Sequence, residues 1–173
     1  LAARGLTPVV AFELEFYLLD ATRTADIAAA AGAAAPGPER TQIYSLADLR
    51  AHSALFSEIE TAAAALDVPT DTIISEAAPG QFEINFHHVP DAVMAADHAT
   101  LFKRVVWECA HKHDLDATFM AKPYGSEVGS GMHFHVSLLD AEGNNVFADD
   151  HGVSDTLKHA IGGCLKSMRE LQA

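Results

Sequence analysis

Basic side chains are scarce in this sequence: its 173 residues hold 11 Lys and Arg against 24 Asp and Glu, for a formal net charge of -13 at pH 7. Nucleic acid and anionic membrane surfaces both demand a concentrated basic patch, so neither is an expected partner, and a cation is the more natural ligand. No run of about 18 uninterrupted apolar residues exists, which excludes a membrane-spanning helix within these residues. No charged-then-apolar segment precedes the first strand-like stretch, so no export signal is read. There are only two cysteines, Cys109 and Cys164, both inside helical patterns and far apart. They read as reduced core thiols of a cytoplasmic protein. Internal repeats are absent too. With 49% hydrophobic and 20% charged residues, the chain can bury the core of one compact unit. It opens on Leu1 and closes on "CLKSMRELQA", a helix-like run without a C-cap signal, and the expectation is a piece of a longer protein.

The stretch "VVAFELEFYLLD", residues 9–20, reads as a strand. With period two, Val10, Phe12, Leu14, Phe16 and Leu18 share one face, while Glu13 and Glu15 share the other with Ala11 and Tyr17. Residues 21–43, rich in Ala, Gly and Pro, are expected to be a flexible insertion. Ser45 with Asp48 resembles a capping box, and Leu46, Leu49, Phe56, Ile59, Ala63 and Leu66 mark one core-packing helix up to Asp67. In "SEAAPGQFEINFHHV", Pro79-Gly80 predicts a turn, after which Phe82, Ile84 and Phe86 alternate with Gln81, Glu83 and Asn85. Asp91 predicts the cap of a long helix ending near His113, with Leu101, Val105 and Cys109 on one side and Phe102 and Trp107 in the core. A short strand in "DATFMAKPYG" stops before Pro123, and "GMHFHVSLLDAEGNNVF" reads as an alternating strand turning into a hairpin. The resulting fold class is α+β: an antiparallel-rich curved sheet with helices packed on its outer face and a polar inner face.

Side chains at i and i+2 of a strand stand about 6.5 to 7 Å apart on the same side. Glu13 and Glu15 are therefore too far apart to grip one ion symmetrically and well spaced to reach two neighbouring ones. Taken alone, an E-x-E string fits a solvated strand face equally well. The later strands add to it, because Glu83 lies on the polar side of "GQFEINF", Glu76 lies across the Pro-Gly turn, and His133 and His135 share one face of "GMHFHVSL". Four carboxylates, two imidazoles and no thiolate suit a hard cation, Mg²⁺ or Mn²⁺, better than a structural zinc. "GSEVGSGMH" has glycines that let backbone come close to a ligand, but it lacks the Walker lysine and spacing, so a plain turn explains it as well. His87 and His88 are expected to flank a strand end in solvent, and His111 and His113 to favour a helix C-terminus.

"FELEFYLLD", "SEAAPGQFEINF", "ATFMAKPY" and "GSGMHFHVSLLDAEGNNVF", in this order and spacing, resemble the first part of the glutamine synthetase catalytic domain, over residues 8 to 165. The wording is most similar to the branch of γ-glutamylpolyamine and other γ-glutamylamine synthetases. The resemblance implies that residues 1–173 are a partial catalytic domain, without the N-terminal β domain or the C-terminal segment bearing the glutamate flap and the arginines. It implies an ATP-dependent ligase that joins glutamate to an amine through γ-glutamyl phosphate. Glu15, Glu76 and Glu83 would hold the metal near glutamate and the amine, and Glu13 and His133 the metal bridging the ATP phosphates. His135 and Ser137 would lie toward the nucleotide, and Gly129 and His133 at the substrate. The substrates implied are glutamate, ATP and an amine or ammonia, and the full-length protein would be a homo-oligomer of dodecamer-like rings. Val128 stands where ammonia-using bacterial enzymes have Asn before "GSGMH", which favours an organic amine as acceptor. Two alternatives are an ammonia-using glutamine synthetase and a non-catalytic relative that keeps the fold as a structural module.

Overall fold

The computed structural model describes residues 1–20, 43–150 and 152–170. The insertion expected at 21–43 lies, apart from Ile43, outside the described residues.

The stretch containing the two glutamates is the organising strand of a five-stranded sheet in which every pairing is antiparallel. This strand, β1 (Thr7–Asp20), is followed by helices α1 (Leu46–Ala51) and α2 (Ser53–Ala65), strands β2 (Thr70–Ser75) and β3 (Gln81–Phe86), and helix α3 (Ala92–Lys112). Strands β4 (Leu115–Thr118) and β5 (Met132–Leu139) come next, then two two-residue strands, β6 (Ala148–Asp149) and β7 (Gly152–Val153), and helix α4 (Asp155–Ser167). One edge of β1 carries β3, with β2 beyond it. The other edge is shared, β5 taking Thr7–Leu14 and β4 taking Tyr17–Asp20.

Alternation along the strands splits the sheet into an apolar and a polar face. Leu14, Phe16 and Leu18 of β1 and Phe82, Ile84 and Phe86 of β3 are buried in one cluster with Phe56 and Ile59 of α2 and Phe102 and Val106 of α3. Phe82 is fully buried, with ring centroids 4.8 Å from Phe56, 5.6 Å from His52 and 6.2 Å from Phe16. Emptying that volume in Phe82→Ala is expected to cost about 3–5 kcal/mol of stability, read as a fall in the urea midpoint with an unchanged slope.

Turn and cap chemistry follows the residue types. Ala78 to Gln81 form a turn closed by Gln81 N–H to the Ala78 carbonyl at 3.1 Å, with Pro79 and then Gly80 at φ 72 in the middle. That is the order a type II turn requires. Ser45 accepts from Asp48 N–H at 3.3 Å, and Asp91 from Val93 and Met94 N–H at 2.9 and 3.1 Å. At the far end of α3, Lys112 and His113 grip Glu58 of α2 at 2.6 and 3.0 Å.

Several expectations need correction. The single helix from Ser45 to Asp67 is two helices broken at His52, and Leu46 and Leu66 are exposed rather than core. Residues 70–75, unassigned in the sequence reading, form β2. Beyond β5 the hairpin shrinks to a bridge between Leu139 and Asn145, because Asp140 draws Glu142 and Asn144 N–H onto its own carboxylate at 3.0 and 2.8 Å and closes a compact local turn. Trp107 and Leu101 face outward, Trp107 standing edge-on to His111 at 4.2 Å. Cys109 is buried, but Cys164 lies exposed on α4. Among the described residues no helix is long and apolar enough to cross a membrane.

Candidate metal centre

Register converts three separate strings into one cluster. Glu15 pairs with Glu83 across β1 and β3, and Glu13 pairs with Asn85 on that side and with His133 on the other. Since paired residues in a sheet point to the same face, Glu13, Glu15, Glu83, His133 and His135 all stand on the side away from the helices. Ligand atoms of Glu13, Glu83 and His133 lie within 4.8 Å of one another. Ligands of one Mg²⁺ at ~2.1 Å lie at most about 4.2 Å apart, so small side-chain movements would bring these groups onto one ion or onto two neighbouring ones.

The Glu13 carboxylate is held from both sides, by His133 Nδ1 at 3.2 Å and His135 Nε2 at 2.9 Å. Glu83 is buried, with Asn85 donating to it at 3.1 Å. Its carboxyl titrates above the usual range, first because burial strips its hydration and then because Glu13, Glu76 and Glu15 face it, while the Asn85 bond partly opposes the rise. Glu76, just past β2, is raised as well, by burial first and by Glu15 next. Anionic groups held together without a counter-charge resist ionisation, and a divalent cation removes that resistance. The donor set thus fits a hard cation by number, charge and ligand type.

Glu15 is engaged differently. Its Oε2 accepts from Gln81 Nε2 at 3.0 Å, and the same nitrogen donates to the Gly129 carbonyl at 3.0 Å. Next to it the Tyr17 hydroxyl donates to the Val128 carbonyl at 2.7 Å. Burial and the neighbouring Glu127, Tyr124 and Glu15 push that phenol up to about 12, so it remains a donor. These bonds fasten residues 128–131 over the cluster. A Cβ on Gly129 would sit 2.6 Å from the Ala121 carbonyl oxygen, and one on Gly131 would sit 2.9 Å from both Glu15 Oε1 and His133 Nε2. The glycines of "GSGMH" are needed because the backbone crosses within contact of the protein's own groups.

Beside the triad a groove of ≈ 350 Å³ is lined by Glu13, Asp71, Asn85, His87, His88 and His135. His135 therefore joins Glu13 to this groove. Ser137 lies two residues further along the same face, opposite Val9, and does not line it. His88, read from the sequence as a solvent residue, is exposed but stands 6.4 Å from the His135 ring across the groove. His111 and His113 sit at the C-terminal end of α3 against Asp116 and Glu58, outside the cluster. Two contributors escaped the sequence reading: Gln81, which alternation marked only as polar, and Gly131, whose crowding needs the Glu15–Gly131–His133 arrangement to be seen. The turn before "QFE" was the one available signal for Gln81.

The family model described as "Glutamine synthetase, catalytic domain" matches residues 1–173. Gamma-glutamylputrescine synthetase of Escherichia coli (strain K12) is 42% identical over 173 residues, covering 97% of this chain and 36% of that protein. Glutamate–isopropylamine ligase of a Pseudomonas species is 33% identical over 172 residues, covering 98% of this chain and 37% of that protein. Among solved structures, one described as GmaS without ligand superposes with a TM-score of 0.79 at 30% identity, covering 96% of this chain and 38% of that one. The chain spans little more than a third of these relatives' length. A full-length family match, together with carboxylates and imidazoles converging from β1, β3 and β5, assigns the chain to the glutamine synthetase family, within its catalytic domain.

Proposed function

We propose that the protein to which this chain belongs is an ATP-dependent ligase that forms a γ-glutamyl amide from glutamate and an organic amine. The observation that carries this reading is the convergence of Glu13, Glu83 and His133 within 4.8 Å, with Glu15 and Glu76 close enough to perturb Glu83. Charge of that density serves little purpose on a scaffold and fits phosphoryl transfer. Glu15, Glu76 and Glu83 would hold one Mg²⁺ or Mn²⁺ near the glutamate and amine, and Glu13 with His133 a second near the ATP phosphates. Bound divalent ions supply neutralisation of the charge that spreads over a transferring phosphoryl group. His135 keeps Glu13 oriented and faces the groove, which suits the phosphate end of a nucleotide, with Ser137 further out. The glycine strap at Gly129 would meet the glutamate substrate. In the reaction the γ-carboxylate of glutamate takes the γ-phosphoryl group from ATP, releasing ADP. The amine nitrogen then attacks the resulting acyl carbon, phosphate leaves, and the nitrogen loses a proton.

Two of the relatives are named for an amine larger than ammonia, putrescine and isopropylamine, and this supports an alkylamine acceptor. Val128, 44% exposed, turns an apolar side chain out from the strap while its carbonyl is tied down by Tyr17. Apolar surface near an amine site favours a carbon chain over a bare ammonium ion. Phosphate release by the full-length enzyme with glutamate, ATP and either putrescine, isopropylamine, ethanolamine or ammonium tests this. At least a tenfold higher kcat/KM for one of the alkylamines is expected, and a preference for ammonium over all three would reject the acceptor assignment. Absence of turnover with every amine would reject the ligase reading itself.

A further inference from the structure

We propose that Gln81 is a positioning residue that fixes the metal-facing oxygen of Glu15 and ties it to the glycine strap, an inference that rests on the metal reading of Glu15 given above. Gln81 opens β3, pairs with Tyr17 across the sheet, and is 1% exposed. A buried amide must satisfy two donor hydrogens and a carbonyl, and all are committed. Oε1 accepts from Ala78 N–H at 3.3 Å, and Nε2 donates to Glu15 Oε2 and to the Gly129 carbonyl, both at 3.0 Å. The amide has one workable orientation, because flipping it would set its oxygen against a carboxylate and a carbonyl and its nitrogen against an N–H donor. One side chain therefore joins three segments: the turn entering β3, the Glu15 carboxylate of β1, and the strap.

The consequence for Glu15 is geometric. With Oε2 held by Gln81 the swing of the carboxylate is restricted, and Oε1 and His133 Nε2 each come to 2.9 Å from the place where a Cβ on Gly131 would stand. Gln81 itself does not need to touch a cation. Its neutrality also matters, because a lysine or arginine at this position would cancel the charge of Glu15, whereas an amide donates a hydrogen bond and leaves that charge available. Tyr17, the cross-strand partner of Gln81, holds the preceding carbonyl, that of Val128, at 2.7 Å. Neighbouring side chains on paired strands thus seize successive carbonyls of the strap.

The test is a double-mutant cycle on the full-length protein, with Mn²⁺ affinity measured by electron paramagnetic resonance without substrates, so that the readout is independent of turnover. Gln81→Met, similar in length but without donor or acceptor, is expected to weaken Mn²⁺ binding about tenfold, as loss of an outer partner of a metal ligand typically does. Glu15→Gln is expected to weaken it at least as much. If Gln81 acts through Glu15, adding Gln81→Met to Glu15→Gln changes the affinity no further. A merely structural role would instead lower the affinity by the same factor in both backgrounds, and that additivity would overturn the proposal. So would a Gln81→Met affinity within twofold of the parent when Glu15→Gln is impaired. An unimpaired Glu15→Gln would remove the metal reading of Glu15, a distinct result that takes the proposal with it. Circular dichroism in chelator monitors folding; should Gln81→Met fail to fold, Gln81→Asn, one methylene too short to reach Glu15, enters the same cycle with the same non-additivity expected.

Discussion

Glu83→Gln is expected to make the metal-free protein more stable at pH 7.5 and to weaken its Mn²⁺ binding by about 100-fold or more, at or beyond the upper end of the loss seen for outer partners. Glu83 sits buried on β3, facing Glu13, Glu15 and Glu76, and its carboxyl titrates above the ordinary range chiefly because of burial. A carboxyl whose folded pKa exceeds its unfolded one binds its proton more tightly in the native state, so the native state gains stability as pH falls through the raised value toward the ordinary one. Above that window the ionised group opposes folding. Glu76 is shifted in the same direction, also by burial first. Thermal midpoints in chelator should therefore rise on acidification from pH 7.5 toward about 5, and the rise should be smaller in Glu83→Gln. The stabilisation given by saturating Mn²⁺ should be larger at pH 7.5 than at pH 5, because protons compete for the ligands. Glu58 and Asp140 titrate below their ordinary values, Glu58 through its bonds to Lys112 and His113 and Asp140 through those from Asn144. Their stabilisation is lost only at lower pH, in a separate window. A metal-free midpoint that falls monotonically from pH 7.5, with parent and Glu83→Gln parallel, would contradict this account.

The second large effect comes from a methyl group. Gly131→Ala is expected to weaken Mn²⁺ binding at least tenfold while shifting the thermal midpoint of the metal-free protein by no more than a few degrees. The added Cβ would sit 2.9 Å from Glu15 Oε1 and from His133 Nε2, and 3.0 Å from His133 Cε1. Each of these is the end of a side chain that can swing away, so the fold loses little, but both proposed ligands leave their places together. Gly129→Ala is the contrasting control. Its Cβ would meet the Ala121 carbonyl oxygen at 2.6 Å, which is main chain and has nowhere to swing, so a stability loss of about 1–3 kcal/mol is expected. Isothermal titration with Mn²⁺ and differential scanning calorimetry separate the two cases. Equal Mn²⁺ affinity in Gly131→Ala and the parent would mean that Glu15 and His133 are not positioned against the strap as described.

The strand faces were legible because period two is written directly in "AFELEFYLLD" and "GQFEINF", where a one-residue error would invert every side chain. The long helix after Asp91 was legible for a similar reason, its cap and apolar repeat both being local. What could not be read was register. Alternation assigns Glu13, Glu83 and His133 to polar faces but does not say that Glu13 stands opposite His133 rather than His135, and the triad depends on that. Gln81 was invisible as a partner of Glu15 for the same reason, the two being 66 residues apart. The break at His52 was hidden by an apolar repeat that continues through it. Trp107 and Cys164 were placed in the core by residue type alone, although Trp107 lies beside Glu108 on the outward face and α4 buries none of its residues. The partition of the glutamates between two ions came from the family resemblance alone, and the convergence of Glu13, Glu83 and His133 cuts across it.

The arrangement of β1 also bears on how the chain survives its own synthesis. All three strands that pair with β1 come from residues 81 to 139, so it is made early and completed late. At ~5–20 residues per second, the stretch from Asp20 to Leu139 takes roughly 6 to 24 s to emerge. A strand rich in Val, Phe and Leu waits with both edges bare until Phe86 emerges, roughly 3 to 13 s in, and with its β5 edge bare to the end, the condition in which nascent chains pair with one another. Glu13 and Glu15 interrupt it at its middle, and strands from two copies aligned there would bring like charges face to face. The carboxylates proposed to hold a cation in the finished protein would thus serve earlier as gatekeepers, keeping growing chains apart until β3, β4 and β5 arrive.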